Sequence, residues 1–201
     1  MAGGNAVDAA IAATAAQGVV APETCGVGGD LFALVHRPGW EQPRALNASG
    51  RAGSNADPET LRSAGHTEIA RDHPLTVTVP GCVDGWSELS TELGNLDLAA
   101  CLAPAIEFAE EGFEVSTEQA QAFRHTAALY HDHPAVREFY PDGEPVPVGA
   151  WVRRGLWQPP CERSPRMAGM PSIGVCLQKT LPLSWAGPSP VTIWRRRMPT
   201  G

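Results

Sequence analysis

The histidines and cysteines of this chain are the residues whose types could do chemistry. His131 and His133 stand in the stretch YHDHP, and a pair of imidazoles could bind a metal ion. Two residues at positions i and i+2 of a helix end point to different faces, which favours solvated side chains and predicts no metal site. Cys25 could serve as a nucleophile, but no His with Asn or Asp stands at a supporting spacing, so a small buried thiol is expected.

A glycine-rich turn, GVGGD, offers the other chemical possibility. Its glycines Gly26, Gly28 and Gly29 are expected to shape a tight turn that lets the backbone approach a neighbouring strand. The alternative is a phosphate cradle, but the turn matches neither a P-loop nor a dinucleotide fingerprint. We expect Asp30 to be a turn or cap residue and not a catalytic acid.

The charge of the chain is divided unevenly along its 201 residues. Residues 1–150 hold 7 Lys and Arg against 21 Asp and Glu, whereas residues 151–201 hold 8 against 1 and also carry four of the six Trp. A basic tail can bind nucleic acid. Here the arginines alternate with Trp, Pro and Met and form no helical face, so no nucleic-acid partner is expected.

Neither a membrane partner nor a disulfide framework is expected. No apolar run approaches the roughly 18 residues of a membrane span, and the N-terminus lacks the pattern of a signal peptide, which predicts a cytoplasmic protein. The five cysteines form no CxxC pair and are odd in number, so they are expected to be reduced thiols.

Predicted elements would position these residues. The stretch NAVDAAIAATAAQGVV predicts a first helix, with Asn5 as its N-cap and Asp8 in its first turn, where the helix dipole favours an anion. The apolar run LFALVH at 31–36 predicts a buried strand, with RALNAS at 44–49 as its hairpin partner. The segment 73–81 is expected to be extended.

Helices dominate the remainder of the first 150 residues. A short helix is expected after the cap Asp57, and longer ones are predicted over 82–93, 98–111 and 116–132. Ser116 with Gln119 forms a capping box for the last of them. This order of elements predicts an α/β layer architecture whose sheet is only partly present.

Several stretches closely resemble the γ-glutamyltransferase family of N-terminal-nucleophile hydrolases in order and spacing. They are GGNAVDAAIAA with GVGGDLFALV, LNASGRAG, HPLTVTVPGCVDGWSEL and LAPAIEFAEEGFEVS, within residues 2–140. The forms LNASGRAG and GGDLFALV look most like the bacterial branch close to cephalosporin-acylase-like members. The resemblance implies that residues 1–154 are the N-terminal part of the large subunit in an αββα sandwich.

The resemblance also implies a mechanism. Such precursors cut themselves into a large and a small subunit, and a freed N-terminal Thr attacks the γ-glutamyl amide, with its own α-amino group as base. Backbone N–H groups stabilise the oxyanion. The implied partners are a γ-glutamyl substrate such as glutathione and the small subunit of the same precursor, with no cofactor. No TTHxS-like segment occurs in the sequence, so no catalytic residue is expected in this chain.

Arg51 is the residue that the resemblance assigns to substrate. In the family an Arg from this loop pairs with the substrate's α-carboxylate, in a bidentate geometry that Lys would not reproduce. The register stays open, because aligning the family pattern FREMAP with Ala52 and Gly53 puts that Arg at Ser49. A surface Arg without a ligand is the alternative for Arg51.

Residues 155–201 have no periodicity, and a frameshift near Arg154 accounts for them. Joining the third base of each codon to the first two of the next lets residues 156–174 read VAATLRALAADGRDAFYRG, which is similar to family sequence. At four shifted codons the genetic code allows only one amino acid, or a stop codon. All four amino acids agree with the family-like reading: Ala from Trp157-Gln158, Arg from Cys161-Glu162, Gly from Met167-Ala168 and Ala from Met170-Pro171. We therefore predict an out-of-frame, unstructured tail.

The function expected of the complete enzyme is hydrolysis or transfer of γ-glutamyl groups, with this chain inactive by itself. A cephalosporin (glutaryl) acylase is the alternative within the enzyme class. A non-catalytic remnant of such an enzyme is a second alternative. A third, an acidic interaction module, rests on the negative charge of the chain alone.

Overall fold

A computed structural model of the chain describes residues 3–53, 56–70 and 73–154. The tail at 155–201, and with it the predicted frameshift and loss of structure, lies outside the described residues. The α-helices of the described part are α1 (Ala6–Val20), α2 (Pro58–Ser63), α3 (Cys82–Leu93), α4 (Leu98–Glu111) and α5 (Thr117–Tyr130). Its strands are β1 (Leu31–Val35), β2 (Arg44–Ala48), β3 (Phe113–Glu114) and β4 (Trp151–Val152).

Helix α1 begins as its sequence predicts. The Asn5 side chain accepts the N–H groups of Val7 and Asp8, and the Asp8 carboxylate accepts the N–H of Asn5, which completes a capping box. The helix runs through Gly18, which is buried, and ends at Val20 just before the proline at position 22. Small alanines along α1 let α4 pack closely against it.

Strands β1 and β2 form the predicted antiparallel hairpin. Leu31 pairs with Ala48 at one end and Val35 with Arg44 at the other. The face that carries Leu46 and Ala48 is buried, and α3 contacts both strands. The hairpin therefore contributes one covered face to a core made mainly by α1, α3 and α4.

The opposite face of the hairpin is uncovered, which corrects the expectation of a buried strand. Phe32 and Leu34 alternate with the inward residues of β1 and are 67% and 78% exposed. An apolar run of this length reads as buried on both faces, but only one face has a covering layer in the described residues. The prediction of a strand was correct, and the prediction of its burial was wrong for the face that carries Phe32 and Leu34.

The segment before α3 also differs from its prediction. Residues Pro74–Thr76 form one turn of 3₁₀ helix, and His73 caps that turn, its Nδ1 accepting the N–H of Leu75 at 3.1 Å. Proline at the first position favours such a turn. Of the residues that follow, Val77 is extended and Thr78 forms an antiparallel bridge with Ala52.

The remaining elements close the structure around α4 and α5. Ser116 and Gln119 form the predicted capping box of α5, and Gln119 Nε2 also donates to the carbonyl oxygen of Val20. Strand β3 pairs with β4, and the Arg154 side chain after β4 reaches the carbonyl oxygen of Gly18 at 3.1 Å. No helix in the described ranges is long and apolar enough to cross a membrane.

Candidate functional site

Three motifs far apart in the sequence meet at one end of the β1–β2 hairpin. The carbonyl oxygen of Gly29, in the glycine-rich turn, accepts the N–H groups of Gly81 and Cys82 at 3.1 and 3.0 Å. The N–H of Val79 donates to the carbonyl oxygen of Arg51 at 2.8 Å. The segment before α3 thus joins the turn that precedes β1 to the loop that follows β2.

Two glycines make this meeting possible. A Cβ at Gly50 would overlap the carbonyl oxygen of Val79, and a Cβ at Gly81 would overlap that of Ala48. Neither glycine has a positive φ, so what each position requires is the missing side chain, not an unusual backbone conformation. Close backbone contact fixes the loop 49–53 against the start of α3.

The glycines singled out from sequence lie in the turn beside this contact. The N–H of Gly29 donates to the carbonyl oxygen of Gly26 at 3.4 Å, and Gly29 also accepts the two N–H groups from the start of α3. A Cβ at Gly26 or Gly28 would meet no atom within 4 Å. The tightest approach of backbones is therefore at Gly50 and Gly81, which sequence reasoning did not single out.

Arg51 projects from this junction. Its main chain is held by the N–H of Val79 and by the adjacent antiparallel bridge between Ala52 and Thr78, while its side chain is exposed. Within the described ranges no acidic side chain lies within 4 Å of the Arg51 guanidinium. A cation whose backbone is held and that has no counter-ion among the described residues can bind an anionic ligand group.

Ser49, the other candidate for the same role, lies in the same loop two residues before Arg51. Ser49 and Arg51 flank Gly50, the residue that lies against the carbonyl of Val79. The N–H of Ser49 donates to Asn47 Oδ1 at 3.0 Å, and Ser49 is half-buried. Of the two residues, only Arg51 carries a charge.

Asp30 adds a carboxylate at the same end of the hairpin. It is exposed, and Thr78 Oγ1 donates to Asp30 Oδ1 at 3.3 Å. It directly precedes the last pair of the hairpin, Leu31 with Ala48. The sequence indicated only a turn or cap role for Asp30, because its contact with Thr78 spans 48 residues of sequence.

The two cysteines near the junction differ in environment. Cys82, at the start of α3, is buried, and burial raises the pKa of its thiol to about 11, with the nearby Cys25 and Asp30 adding to the rise. Cys25 is half-buried. A thiol with a pKa near 11 is protonated at neutral pH, so Cys82 is not an activated nucleophile.

The histidines of YHDHP lie away from this junction, at the end of α5. His131 is exposed, and its Nδ1 lies 2.9 Å from the carbonyl oxygen of Ala127. Among the described residues no three His, Cys, Asp or Glu side chains are grouped as a metal-binding cluster.

Comparison with known proteins gives these motifs a family. The model of the gamma-glutamyltranspeptidase family matches residues 1–156. The glutathione hydrolase-like YwrD proenzyme of Bacillus subtilis is 34% identical over 156 residues, which are 77% of this chain and 30% of that protein. The oxamate amidohydrolase proenzyme of Klebsiella pneumoniae is 43% identical over 126 residues, which are 60% of this chain and 23% of that protein.

A solved structure supports the same assignment. The cephalosporin acylase from Bacillus halodurans is 39% identical, with a TM-score of 0.68 over 76% of this chain and 30% of the acylase chain. The chain thus spans less than a third of the length of these relatives. The fold resembles the N-terminal-nucleophile hydrolases over its described part, as expected, and the family model covers more than half of the sequence. The chain belongs to the gamma-glutamyltranspeptidase family.

Proposed function

We propose that this chain is the N-terminal part of the large subunit of an enzyme that hydrolyses or transfers γ-glutamyl groups, and that Arg51 binds the α-carboxylate of the γ-glutamyl group. The observation that carries the proposal is the junction at the hairpin end, where Arg51 is exposed and has no acidic partner within 4 Å among the described residues. A guanidinium binds a carboxylate through two parallel hydrogen bonds. Glutathione is the substrate that the glutathione hydrolase-like relative suggests.

The chemistry would be supplied by a Thr at the N-terminus of the small subunit. Its Oγ attacks the carbonyl carbon of the γ-glutamyl amide, while its α-amino group takes the hydroxyl proton and passes it to the leaving amine. The product is an ester between the γ-glutamyl group and Thr. Attack by water releases glutamate, and attack by an amine gives transfer. This chain would bind and orient the acyl group.

The bare face of the hairpin fits the same proposal. Phe32 and Leu34 form an exposed apolar surface on a sheet whose other face is covered by helices. In a sandwich of two sheets between helical layers, a second sheet covers such a face. The small subunit of the same precursor would supply that sheet.

By itself the chain would be inactive. Its sequence has no TTHxS-like segment, which would carry the Thr nucleophile. Catalysis through an acylated Thr stops when that nucleophile is missing. The family match ends at residue 156, beside the predicted frame change after Arg154. A frame that continues beyond Arg154 would restore the rest of the precursor.

A glutaryl acylase is the second candidate. The 39% identity to the Bacillus halodurans cephalosporin acylase favours it. A glutaryl group carries a carboxylate that Arg51 could bind, but it lacks the α-amino group of glutamate. The two functions therefore differ in one charged group of the acyl moiety.

One experiment separates these functions from inactivity. The gene is resequenced across codons 145–165. Two proteins are then expressed, the 201-residue chain and a precursor whose original reading frame continues beyond Arg154. We expect only the continued precursor to cleave itself and to hydrolyse γ-glutamyl-4-nitroanilide. Faster hydrolysis of glutaryl-4-nitroanilide would favour the acylase. Activity of the 201-residue chain itself would contradict the claim that it lacks the nucleophile.

A further inference from the structure

The C-terminal end of α1 is held by side chains from distant parts of the sequence. The last four carbonyl groups of an α-helix have no partner inside the helix, and the helix dipole favours a cation beside them. The guanidinium of Arg154 donates to the carbonyl oxygen of Gly18 at 3.1 Å, and Gln119 Nε2 donates to that of Val20. The positive charge of Arg154 therefore lies where the dipole of α1 stabilises it.

Arg154 is itself fixed by neighbouring elements. Its N–H donates to the carbonyl oxygen of Ala109 on α4 at 3.0 Å. Its Nε lies 3.5 Å from Glu138 Oε1, and its guanidinium lies 5.3 Å from the centre of the Phe139 ring. The Arg154 side chain is only 12% exposed, so solvent screens its ion pair weakly. These contacts let Arg154 hold the end of α1 in one place.

Gly18 links Arg154 to the glycine-rich turn at 26–29. Gly18 is buried, and a Cβ at its position would lie 3.7 Å from the Cα of Gly26. The turn thus packs on the same residue whose carbonyl oxygen accepts the bond from Arg154. The position of the turn therefore depends on the end of α1.

The glycine-rich turn holds the start of α3. The carbonyl oxygen of Gly29 accepts the N–H groups of Gly81 and Cys82, and Val79, just before them, donates its N–H to the carbonyl oxygen of Arg51. A displacement of the turn would therefore reach both the start of α3 and the loop that carries Arg51.

We propose that Arg154 is a positioning residue, which holds the end of α1 and, through Gly18, keeps the glycine-rich turn against the start of α3. Arg154 acts on the substrate site only through these backbone contacts. Its effect on catalysis rests on the proposed function, because that function assigns Arg51 to the substrate. Its effect on the turn does not depend on the proposed function.

Two buried thiols distinguish local positioning from general stability. Cys82 stands at the start of α3, which the turn holds, whereas Cys101 lies near the other end of α1, its Sγ 3.9 Å from Asp8 Oδ1. Asp8 and Gly18 are separated by about 15 Å along the helix axis. Global unfolding exposes both thiols, but release of the turn exposes Cys82 alone.

The first test alkylates the native 201-residue chain with iodoacetamide and follows both thiols by mass spectrometry of peptides. In Arg154→Gln we expect the ratio of the Cys82 rate to the Cys101 rate to rise about 10-fold, as for loss of a hydrogen bond to a charged group. Arg154→Lys keeps the charge and should give an intermediate ratio. Arg153→Gln is the matched control and should leave the ratio unchanged, because Arg153 Nε donates to the end of α4 and not of α1.

A second variant moves the turn without removing Arg154. Gly18→Val pushes a side chain against Gly26, so it should raise the same ratio. Circular dichroism reports folding, and Gly18→Val with Arg154→Lys carries the test if Arg154→Gln lacks the helical signal. In a folded Arg154 variant, an unchanged ratio or an equal rise of both rates would overturn the positioning role.

The second test measures catalysis in the mature enzyme made from the precursor whose frame continues past Arg154. We expect Arg154→Gln to raise KM for γ-glutamyl-4-nitroanilide about 10-fold with a smaller change in kcat, because the binding loop moves and the Thr nucleophile stays. A parent with no activity contradicts the proposed function and leaves the thiol result standing. An unchanged KM beside a selective rise at Cys82 overturns the link from the turn to substrate binding.

Discussion

The backbone of Gly50 lies against the carbonyl of Val79 so closely that no side chain fits between them. This contact joins the loop after β2, which carries Arg51, to the segment before α3. The next residues of that segment, Gly81 and Cys82, donate their N–H groups to Gly29 in the glycine-rich turn. The position tolerates only glycine for a steric reason, since its φ is not in the left-handed region.

The variant Gly50→Ala should therefore destabilise the protein. We expect a loss of about 2 to 4 kcal/mol in the free energy of unfolding, because the backbone of one segment must move. Urea unfolding followed by Trp fluorescence measures the loss, with the buried Trp86 as a reporter. The control Gly28→Ala adds a methyl group to open space and should change little. Equal effects of the two substitutions would contradict the close contact.

Asp8 is the buried carboxylate that ties α1 to the turn between α3 and α4. Burial pushes the pKa of its carboxyl up, but hydrogen bonds from the N–H groups of Asn5, Asn95 and Leu96 and from the Cys101 thiol outweigh burial and hold the pKa below its ordinary value of 3.8. A pKa lowered by folding means that the ionised carboxylate stabilises the native state.

The effect of Asp8→Asn should consequently depend on pH. The stabilisation is present above about pH 4 and is lost as the pH falls through the folded-state pKa. We expect Asp8→Asn to lower the free energy of unfolding by about 2 kcal/mol at pH 7, with a gap to the parent that narrows in acid. Urea midpoints between pH 7 and pH 3 test this. Glu92→Gln, at an exposed position on α3, serves as the control. If the difference in unfolding free energy between the parent and Asp8→Asn widened in acid, the lowered pKa of Asp8 would be refuted.

The thiols offer a chemical probe of the junction. Cys82 is buried with a pKa of about 11, so roughly one thiol in a thousand is ionised at pH 8. We expect iodoacetamide to modify the half-buried Cys25 well before Cys82 in the native protein and both at similar rates in urea. Mass spectrometry of peptides gives the two rates. Fast native alkylation of Cys82 would contradict its burial.

Local elements of this fold were predictable because their signals are local. The caps of α1 and α5 sit within four residues of the groups they bind, so Asn5 and Ser116 marked helix starts correctly. The contact of Thr78 with Asp30 and the overlap at Gly50 join residues from separate elements, and no local pattern encodes them. The sequence also did not show which face of β1 is covered, since Leu31 on one face and Phe32 on the other are both apolar.

The bare face of β1 should make the isolated chain self-associate. Phe32 and Leu34 expose apolar surface on a sheet, and such surface associates with copies of itself when its natural cover is absent. We expect the double variant Phe32→Ser with Leu34→Ser to lower the average mass in sedimentation velocity. Phe108→Ser, which removes a 43% exposed ring on α4, should leave the mass nearly unchanged. A monomeric parent chain would contradict this expectation.

Arg51 is the residue on which the proposed substrate binding depends, and Lys is the informative replacement. Lys keeps the charge but not the planar pair of donors, so the second hydrogen bond to the carboxylate is lost. In the mature enzyme we expect Arg51→Lys to reduce kcat/KM for γ-glutamyl-4-nitroanilide by about 10- to 100-fold, mainly through a higher KM.

Two further variants decide the register of this loop. Arg124→Lys, exposed on α5, controls for general effects of the substitution and should leave kcat/KM unchanged. Ser49→Ala should have a small effect, because Ser49 has no charge for the carboxylate and uses its backbone N–H to bind Asn47. If Ser49→Ala abolished activity while Arg51→Lys did not, the substrate would contact position 49. Arg51 is exposed and carries the positive charge that a carboxylate needs, whereas Ser49 is half-buried and uncharged, and this difference favours Arg51 as the ligand.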